Sequence, residues 1–146
     1  MRKQSLNCML LVDDDEGHNY LTQLTIEDCA VALNIRTAWN GREALDYLTG
    51  RGKYADDAAF PRPQLIFLDI NMPVMDGWDF MAEYRALDNA RKRDTMIVML
   101  TTSMNPDDRE RARGIPEISE FRIKPLTRVS LEEVIQKYFS EHGRFG

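Results

Sequence analysis

The chain has 146 residues, of which 43% are hydrophobic and 29% charged, a composition typical of one globular domain with a buried core. Its net charge of −5 argues against a nucleic acid or an anionic membrane surface as the main partner. We see no apolar run of membrane-spanning length and no signal peptide, and Cys8 and Cys29 lie in apolar segments. We therefore expect a cytoplasmic protein with buried thiols, which this pattern favours over a disulfide.

Strand-like and helix-like patterns alternate five times along the chain, which predicts a parallel sheet with helices on both faces. The expected strand order is 2-1-3-4-5, the doubly wound, flavodoxin-like α/β arrangement whose switch point lies between the first and third strands. The predicted strands cover 8–12, 35–38, 65–69, 96–100 and 121–123, and the predicted helices cover 17–33, 42–48, 78–88, 105–113 and a segment that begins at 130.

Local signals refine several of these segments. Asn105 before Pro106 predicts a helix start, and Ser130 with Glu133 predicts a capping box. Residues 51–64 are interpreted as a surface loop, and residues 140–146 as a frayed tail. The apolar face predicted for the first helix consists of Tyr20, Leu21, Leu24, Cys29 and Leu33.

Asp69 follows the apolar run 65–68 and so stands at the carboxyl end of a strand buried on both faces. Ligands bind at this edge of an open α/β sheet. An aspartate there can be a metal ligand, a base or a nucleophile that takes up a phosphoryl group. Taken alone, it would more often be a helix cap or a turn residue.

Polar residues follow three further strands at the same predicted edge: Asp13 and Asp14, then Thr101, then Lys124. The first and third strands are neighbours in the expected order, so the carboxylates of Asp13, Asp14 and Asp69 should converge. Three carboxylates so close together repel one another unless a cation binds, and Mg²⁺ suits such a set of oxygen ligands. Each residue alone could be a cap, a strand end or a surface charge, but the combined pattern favours a site.

The combined pattern assigns a different role to each residue of the expected site. Asp69 would attack in line and become an aspartyl phosphate, while Lys124 and the hydroxyl of Thr101 would bind phosphoryl oxygens. His18 and His142 are interpreted as surface residues and not as metal ligands. The predicted Mg²⁺ ligands are Asp14 and Asp69, Asp13 through water, and the backbone carbonyl of Asn71.

With these motifs in place, the sequence resembles the CheY-like receiver domain of response regulators in two-component signalling. The resemblance covers about residues 6–140 and rests on segments 11–15, 68–77, 100–103 and 124–126. It implies that Asp69 accepts a phosphoryl group from the phosphohistidine of a sensor histidine kinase. It also implies Thr101 and Lys124 as switch contacts, and a cis peptide bond before Pro125.

The resemblance further implies a signalling face formed by the last two predicted helices and the fifth strand. Phe121 occupies the position of the family's switch aromatic, although a fixed core phenylalanine is an equal alternative. Thr102 is larger than the Ala or Gly often found beside the switch threonine and could modulate phosphate lifetime. The long 51–64 loop together with segment 100–103 is similar to single-domain receivers that serve bacterial phytochrome kinases.

We therefore expect a stand-alone receiver over residues 1–146, without an output domain, that is a switch and not an enzyme. Its output would pass to a downstream protein target or a phosphotransfer protein, and a homodimer is allowed but not required. An aspartate-nucleophile phosphohydrolase is a competing hypothesis, but Asn71 stands where such enzymes carry a second acid. A receiver-like module that is not phosphorylated is the third.

Overall fold

The computed structural model describes residues 6–55, 59–72, 74–92, 94–102 and 105–139. A parallel five-stranded sheet has the order β2-β1-β3-β4-β5, which confirms the predicted fold. Every helix in the described ranges is too short or too polar to cross a bilayer. The strands are β1 (Leu6–Val12), β2 (Ala32–Ala38), β3 (Leu65–Asp69), β4 (Met96–Thr101) and β5 (Ile118–Ile123). The helices are α1 (Glu16–Cys29), α2 (Gly41–Thr49), α3 (Gly77–Arg85), α4 (Asn89–Lys92), α5 (Pro106–Arg113) and α6 (Arg128–Phe139), with a 3₁₀ turn at Gly52–Tyr54.

Apolar cores cover both faces of the sheet, because the central strands are apolar at successive positions. β3 is buried along its whole length. One core packs α1 and α6 against β1, β3 and β4, and the other packs α2 and α3 on the opposite face. Cys8 and Cys29 are buried and lie in no disulfide among the described residues, as the sequence predicts. The central strands are therefore firmly anchored, and their polar carboxyl ends are held at one edge of the sheet.

The predicted apolar face of α1 is wrong except at Cys29. Residues 31–33 are not helical, because Ala30 ends the helix in the left-handed conformation with φ 55° and β2 begins at Ala32. The polar side chain of Asn19 is buried instead, since its Nδ2 donates a hydrogen bond to the Asp13 carbonyl at 2.9 Å. The buried residues of α1 are Asn19, Thr22, Ile26 and Cys29, whereas Tyr20, Leu21 and Leu24, and Leu33 in β2, are exposed.

Helix starts near the carboxyl end are partly as predicted. Asn105 caps α5 as expected, because its Oδ1 accepts the Asp107 N–H at 2.8 Å. The predicted capping box at Ser130 is wrong: α6 begins at Arg128, and the Ser130 N–H donates to Thr127 Oγ1 at 3.0 Å.

The separate helix α4 was not predicted, so the last two predicted helices correspond to α5 and α6. The predicted frayed tail over 140–146, with His142, and motif residues 73 and 103 lie outside the described residues.

The segment 51–64 is packed and not simply a surface loop. Tyr54 is 5% exposed, and its ring lies 5.0 Å from that of Phe60 and 5.2 Å from that of Tyr47, measured between centroids. The Tyr47 hydroxyl also donates to the carbonyl of Pro61 at 2.7 Å. These aromatic contacts join the described part of the segment to α2.

We expect Ala30→Gly to raise the free energy of unfolding by about 1 kcal/mol, because glycine adopts the left-handed conformation without the steric penalty of a Cβ. Ala86 provides a matched control, since it ends α3 with φ −82°. Ala86→Gly should leave stability unchanged or lower it. Urea unfolding of both variants tests this, and a loss of stability in Ala30→Gly would contradict it.

Candidate functional site

Three carboxylates converge where β1 and β3 leave the sheet. Asp13 and Asp69 are buried, with 3% and 7% of their surfaces exposed, while Asp14 is exposed. The three residues can present carboxylate oxygens that all lie within 4.8 Å of one another. β1 and β3 pair directly in the sheet, which explains why residues so distant in sequence meet. The structure thus brings together the three acids that the sequence singles out.

Lys124 joins this cluster from the end of β5. Its Nζ lies 2.8 Å from Asp13 Oδ2 and 3.4 Å from Asp69 Oδ1, and only 10% of its side chain is exposed. The backbone N–H of Lys124 donates to the carbonyl of Thr101 at 2.7 Å, which fixes the end of β5 beside the end of β4. The bond from Lys124 to Pro125 is cis, as the resemblance implies. A flexible ammonium therefore stands between two carboxylates, within reach of either.

The turn after Asp69 is closed by Gly77, at the start of α3. Its N–H donates to the carbonyl of Ile70 at 2.7 Å. A Cβ at this position would lie 2.7 Å from the backbone oxygen of Asp69 and 3.0 Å from the Cα of Ile70. Only glycine allows α3 to approach the site this closely. Asp76 and Asp79 form a capping box that starts the helix at this point.

His18 belongs to the site, so its interpretation as a surface residue is wrong. Its Nδ1 lies 2.8 Å from Asp13 Oδ2, and 13% of the side chain is exposed. The position of His18 in the first helical turn after the β1 carboxylates is a signal that could have indicated this contact. Apolar periodicity alone gave no reason to place its ring inward.

Interactions within the cluster shift the pKa values of its two buried carboxyl groups in opposite directions. Burial and the neighbouring negative charge of Asp13 raise the pKa of Asp69 to about 6, against the attraction of Lys124. Burial also disfavours the charged form of Asp13, but contacts with His18, Lys124 and the Asp15 N–H outweigh it and lower the pKa of Asp13 to about 2. Burial of Lys124 is likewise outweighed by the two carboxylates, which raise its pKa. Asp69 is thus the carboxylate whose negative charge is least compensated.

We expect Asp69→Asn to stabilise the metal-free protein near pH 8 but not near pH 4. The pKa of Asp69 is raised from 3.8 to about 6 on folding, so the stabilisation by its neutral form is complete below 3.8 and is lost as the pH rises through 6. Removing the charge should therefore add about 1 to 2 kcal/mol near pH 8. Urea unfolding in EDTA measures the gain, with Asp14→Asn as the exposed control. An equal gain at both pH values would contradict this assignment.

This donor set fits Mg²⁺, which takes oxygen ligands and is typically held by one or two carboxylates. Asp13, Asp14 and Asp69 supply carboxylate oxygens, and the charge on Asp69 is undercompensated. Asn71 is exposed two residues after Asp69, and its carbonyl stays a predicted ligand.

The other predicted residues lie around the cluster. Thr101 is buried at the end of β4, and Thr102, the next residue, is exposed. Phe121 pairs with Met99 in the sheet register and packs at the edge of the α2–α3 core. Since Thr101 pairs with residue 123, Phe121 points to the same face of the sheet as Thr101. This arrangement is compatible with a switch pair, and the roles of Thr101, Thr102 and Phe121 stay predictions.

The chain is similar to known response regulators. The family model of the response regulator receiver domain matches residues 9–136. Response regulator Rcp1 of Synechocystis is 33% identical over 100 residues, which are 68% of this chain and 65% of Rcp1. The chain spans 51% of several longer matching relatives, which are transcriptional regulatory proteins.

Solved structures show the same architecture. A two-component response regulator from Cytophaga hutchinsonii has a TM-score of 0.81 at 26% identity, with 92% of this chain and 97% of that chain covered. The bacteriophytochrome response regulator AtBRR has a TM-score of 0.74 at 30% identity, with 90% and 91% covered.

Proposed function

Because the chain belongs to the response-regulator receiver family, we propose that it is a phosphoacceptor switch in which Asp69 takes a phosphoryl group from a sensor histidine kinase. The observation that carries this proposal is the position of Lys124, whose Nζ lies 3.4 Å from the buried Asp69 carboxylate at the carboxyl end of the sheet. Phosphoryl transfer requires mainly positioning and charge neutralisation. The cluster offers both at the Asp69 carboxylate.

In the proposed step, a carboxylate oxygen of Asp69 attacks the phosphorus of the kinase phosphohistidine. The phosphorus–nitrogen bond breaks, and the imidazole nitrogen of the kinase keeps the electron pair. Lys124 and the hydroxyl of Thr101 would bind phosphoryl oxygens of the resulting acyl phosphate. Mg²⁺ held by Asp13, Asp14, Asp69 and the Asn71 carbonyl would supply positive charge to those oxygens. The chain itself acts as an acceptor, so we propose a switch with at most slow self-catalysed turnover and not an enzyme.

The proposal includes partners. Similarity to AtBRR supports a phytochrome-type kinase as the donor, since AtBRR is described as a bacteriophytochrome response regulator. The output would pass through the α5–β5–α6 surface to a downstream protein or a phosphotransfer protein, or to a second copy of the chain. Exposed Ile123 and Val129 on this surface support protein contacts there. Cys8 and Cys29, which are buried and in no disulfide within the described part of the chain, agree with a reducing, cytoplasmic location.

Incubation with acetyl phosphate and Mg²⁺ tests the proposed function. We expect intact mass spectrometry to show one added phosphoryl group, absent in Asp69→Ala and retained in the exposed control Asp107→Ala. Steady hydrolysis of small phosphate esters would favour the phosphohydrolase hypothesis instead. No adduct on the wild-type protein, with acetyl phosphate or with a kinase, would favour an interaction module that is not phosphorylated.

A further inference from the structure

The buried carboxylate of Asp13 is held at both of its oxygens. Oδ1 accepts a hydrogen bond from the backbone N–H of Asp15 at 2.9 Å. Oδ2 lies 2.8 Å from Lys124 Nζ and also 2.8 Å from His18 Nδ1. Because Asp13 is only 3% exposed, bulk water cannot readily replace a protein partner that leaves. The orientation of this carboxylate therefore depends on the two side chains at Oδ2.

The start of α1 places His18 against Asp13. The side chain of Asp15 caps the helix and accepts the His18 N–H at 3.0 Å, which fixes His18 in the first turn. The next residue, Asn19, donates from its side chain to the Asp13 carbonyl at 2.9 Å. Two consecutive side chains of α1 thus hold the carboxylate and the main chain of Asp13.

Lys124 lies between two carboxylates. Under the proposed function, its nearer partner changes from Asp13 to the phosphoryl group on Asp69. Its Nζ is nearer to Asp13, at 2.8 Å, than to Asp69, at 3.4 Å. A phosphoryl group on Asp69 adds negative charge and strong acceptor oxygens, which draw the ammonium towards Asp69. Without another donor on the protein, the departure of Lys124 would leave Asp13 Oδ2 without a side-chain donor to orient it towards the proposed Mg²⁺.

We infer that His18 is a positioning residue for phosphoryl transfer, whose Nδ1 keeps the Asp13 carboxylate in place while Lys124 turns to the phosphoryl group on Asp69. This inference rests on the proposed function, because Lys124 has to turn only if Asp69 is phosphorylated. The contact that His18 makes in the site is with Asp13, so its effect passes through Asp13 and Lys124. The contact requires a proton on Nδ1 when the imidazole is neutral.

The first test is the tautomer of His18 in metal-free protein. A long-range ¹H–¹⁵N spectrum distinguishes the two ring nitrogens, and the signals of His18 are those missing in His18→Leu. We expect the neutral ring to carry its proton on Nδ1. A neutral ring with its proton on Nε2 would overturn the inference, because Nδ1 would then be an acceptor facing a carboxylate.

The second test is the rate of Asp69 phosphorylation by acetyl phosphate at saturating Mg²⁺. His18→Leu removes the donor and keeps bulk, and we expect the rate to fall about tenfold, the loss expected for one polar contact with a buried charged group. His18→Asn keeps a donor at the position of Nδ1 and should remain within about threefold of the wild type. Ile26→Ala, a buried substitution on the same helix, is the control for lost stability and should leave the rate unchanged.

Two results would overturn the inference: a wild-type rate in His18→Leu, or the same loss in Ile26→Ala. In a Lys124→Ala background, His18→Leu should cause little further loss, because the side chain that it supports is absent. Additive losses of rate in the double variant would also contradict an effect of His18 that passes through Lys124. If the wild-type protein accepts no phosphoryl group, the proposed function fails; if it does and His18→Leu matches it, only this inference fails.

Discussion

Lys124→Ala is expected to lower the free energy of unfolding of the metal-free protein by about 3 kcal/mol, because removing one partner of a buried ion pair leaves uncompensated charge. Here two carboxylates lose their ammonium, since Lys124 Nζ contacts both Asp13 and Asp69. Mg²⁺ should restore part of the loss by supplying positive charge to the same oxygens. Urea unfolding in EDTA and in Mg²⁺ measures both effects.

The control for this substitution is Lys53→Ala. The side chain of Lys53 is 68% exposed, and we expect its removal to change stability by less than about 0.5 kcal/mol, with no dependence on Mg²⁺. An equal loss of unfolding free energy in both variants would show that burial of Lys124 does not increase its contribution to stability.

The same variant tests the signalling role of Lys124. We expect it still to bind Mg²⁺, because none of the proposed ligands is removed. Beryllofluoride, which mimics a phosphoryl group, should change amide hydrogen exchange in β4 and α5 of the wild type and leave Lys124→Ala unchanged. A full exchange response in the variant would contradict the role assigned to the ammonium.

Gly77→Ala should have the second large effect, a loss of about 3 kcal/mol in the free energy of unfolding. The added Cβ would lie 2.7 Å from the backbone oxygen of Asp69, and backbone cannot move aside as a flexible side chain can. The strain falls directly on the phosphoacceptor, so Mg²⁺ affinity should fall as well. Chemical unfolding and a Mg²⁺ titration followed by tryptophan fluorescence measure the two losses.

Gly114→Ala is the matched control, because a Cβ there would meet its nearest neighbour, the Arg111 oxygen, at 3.5 Å. Gly114 also has φ −79°, which alanine adopts freely. We expect stability within about 1 kcal/mol of the wild type and unchanged Mg²⁺ affinity. If Gly77→Ala behaved like this control, the close approach of α3 to the site would have no energetic consequence.

The sequence predicted the existence and order of the strands because apolar runs that end in polar residues reflect the sheet directly, although β2 and β5 each begin three residues before the predicted start. β3 was predicted with its observed bounds, and the convergence of Asp13, Asp14 and Asp69 followed from pairing of β1 with β3. Lys124 was placed correctly for the same reason, since it follows β5. The positions of side chains that follow strand ends in a parallel sheet could thus be predicted from the sequence.

The errors arise where tertiary contacts outweigh local patterns. Asn19 and Thr22 are buried in α1 while Leu21 is exposed, and periodicity could not show that the Asn19 amide would meet the Asp13 carbonyl. His18 was misplaced for the same reason, because periodicity could not show that its ring would meet the Asp13 carboxylate.

Mapping the phosphorylated residue tests the central claim most directly. Protein treated with acetyl phosphate and Mg²⁺ is reduced with borohydride, which converts an aspartyl phosphate to homoserine, and peptides are then sequenced by mass spectrometry. We expect homoserine at position 69 and at no other aspartate, Asp13 and Asp14 included. Homoserine at another position, or an adduct that survives in Asp69→Ala, would contradict the assignment of Asp69 as the phosphoacceptor.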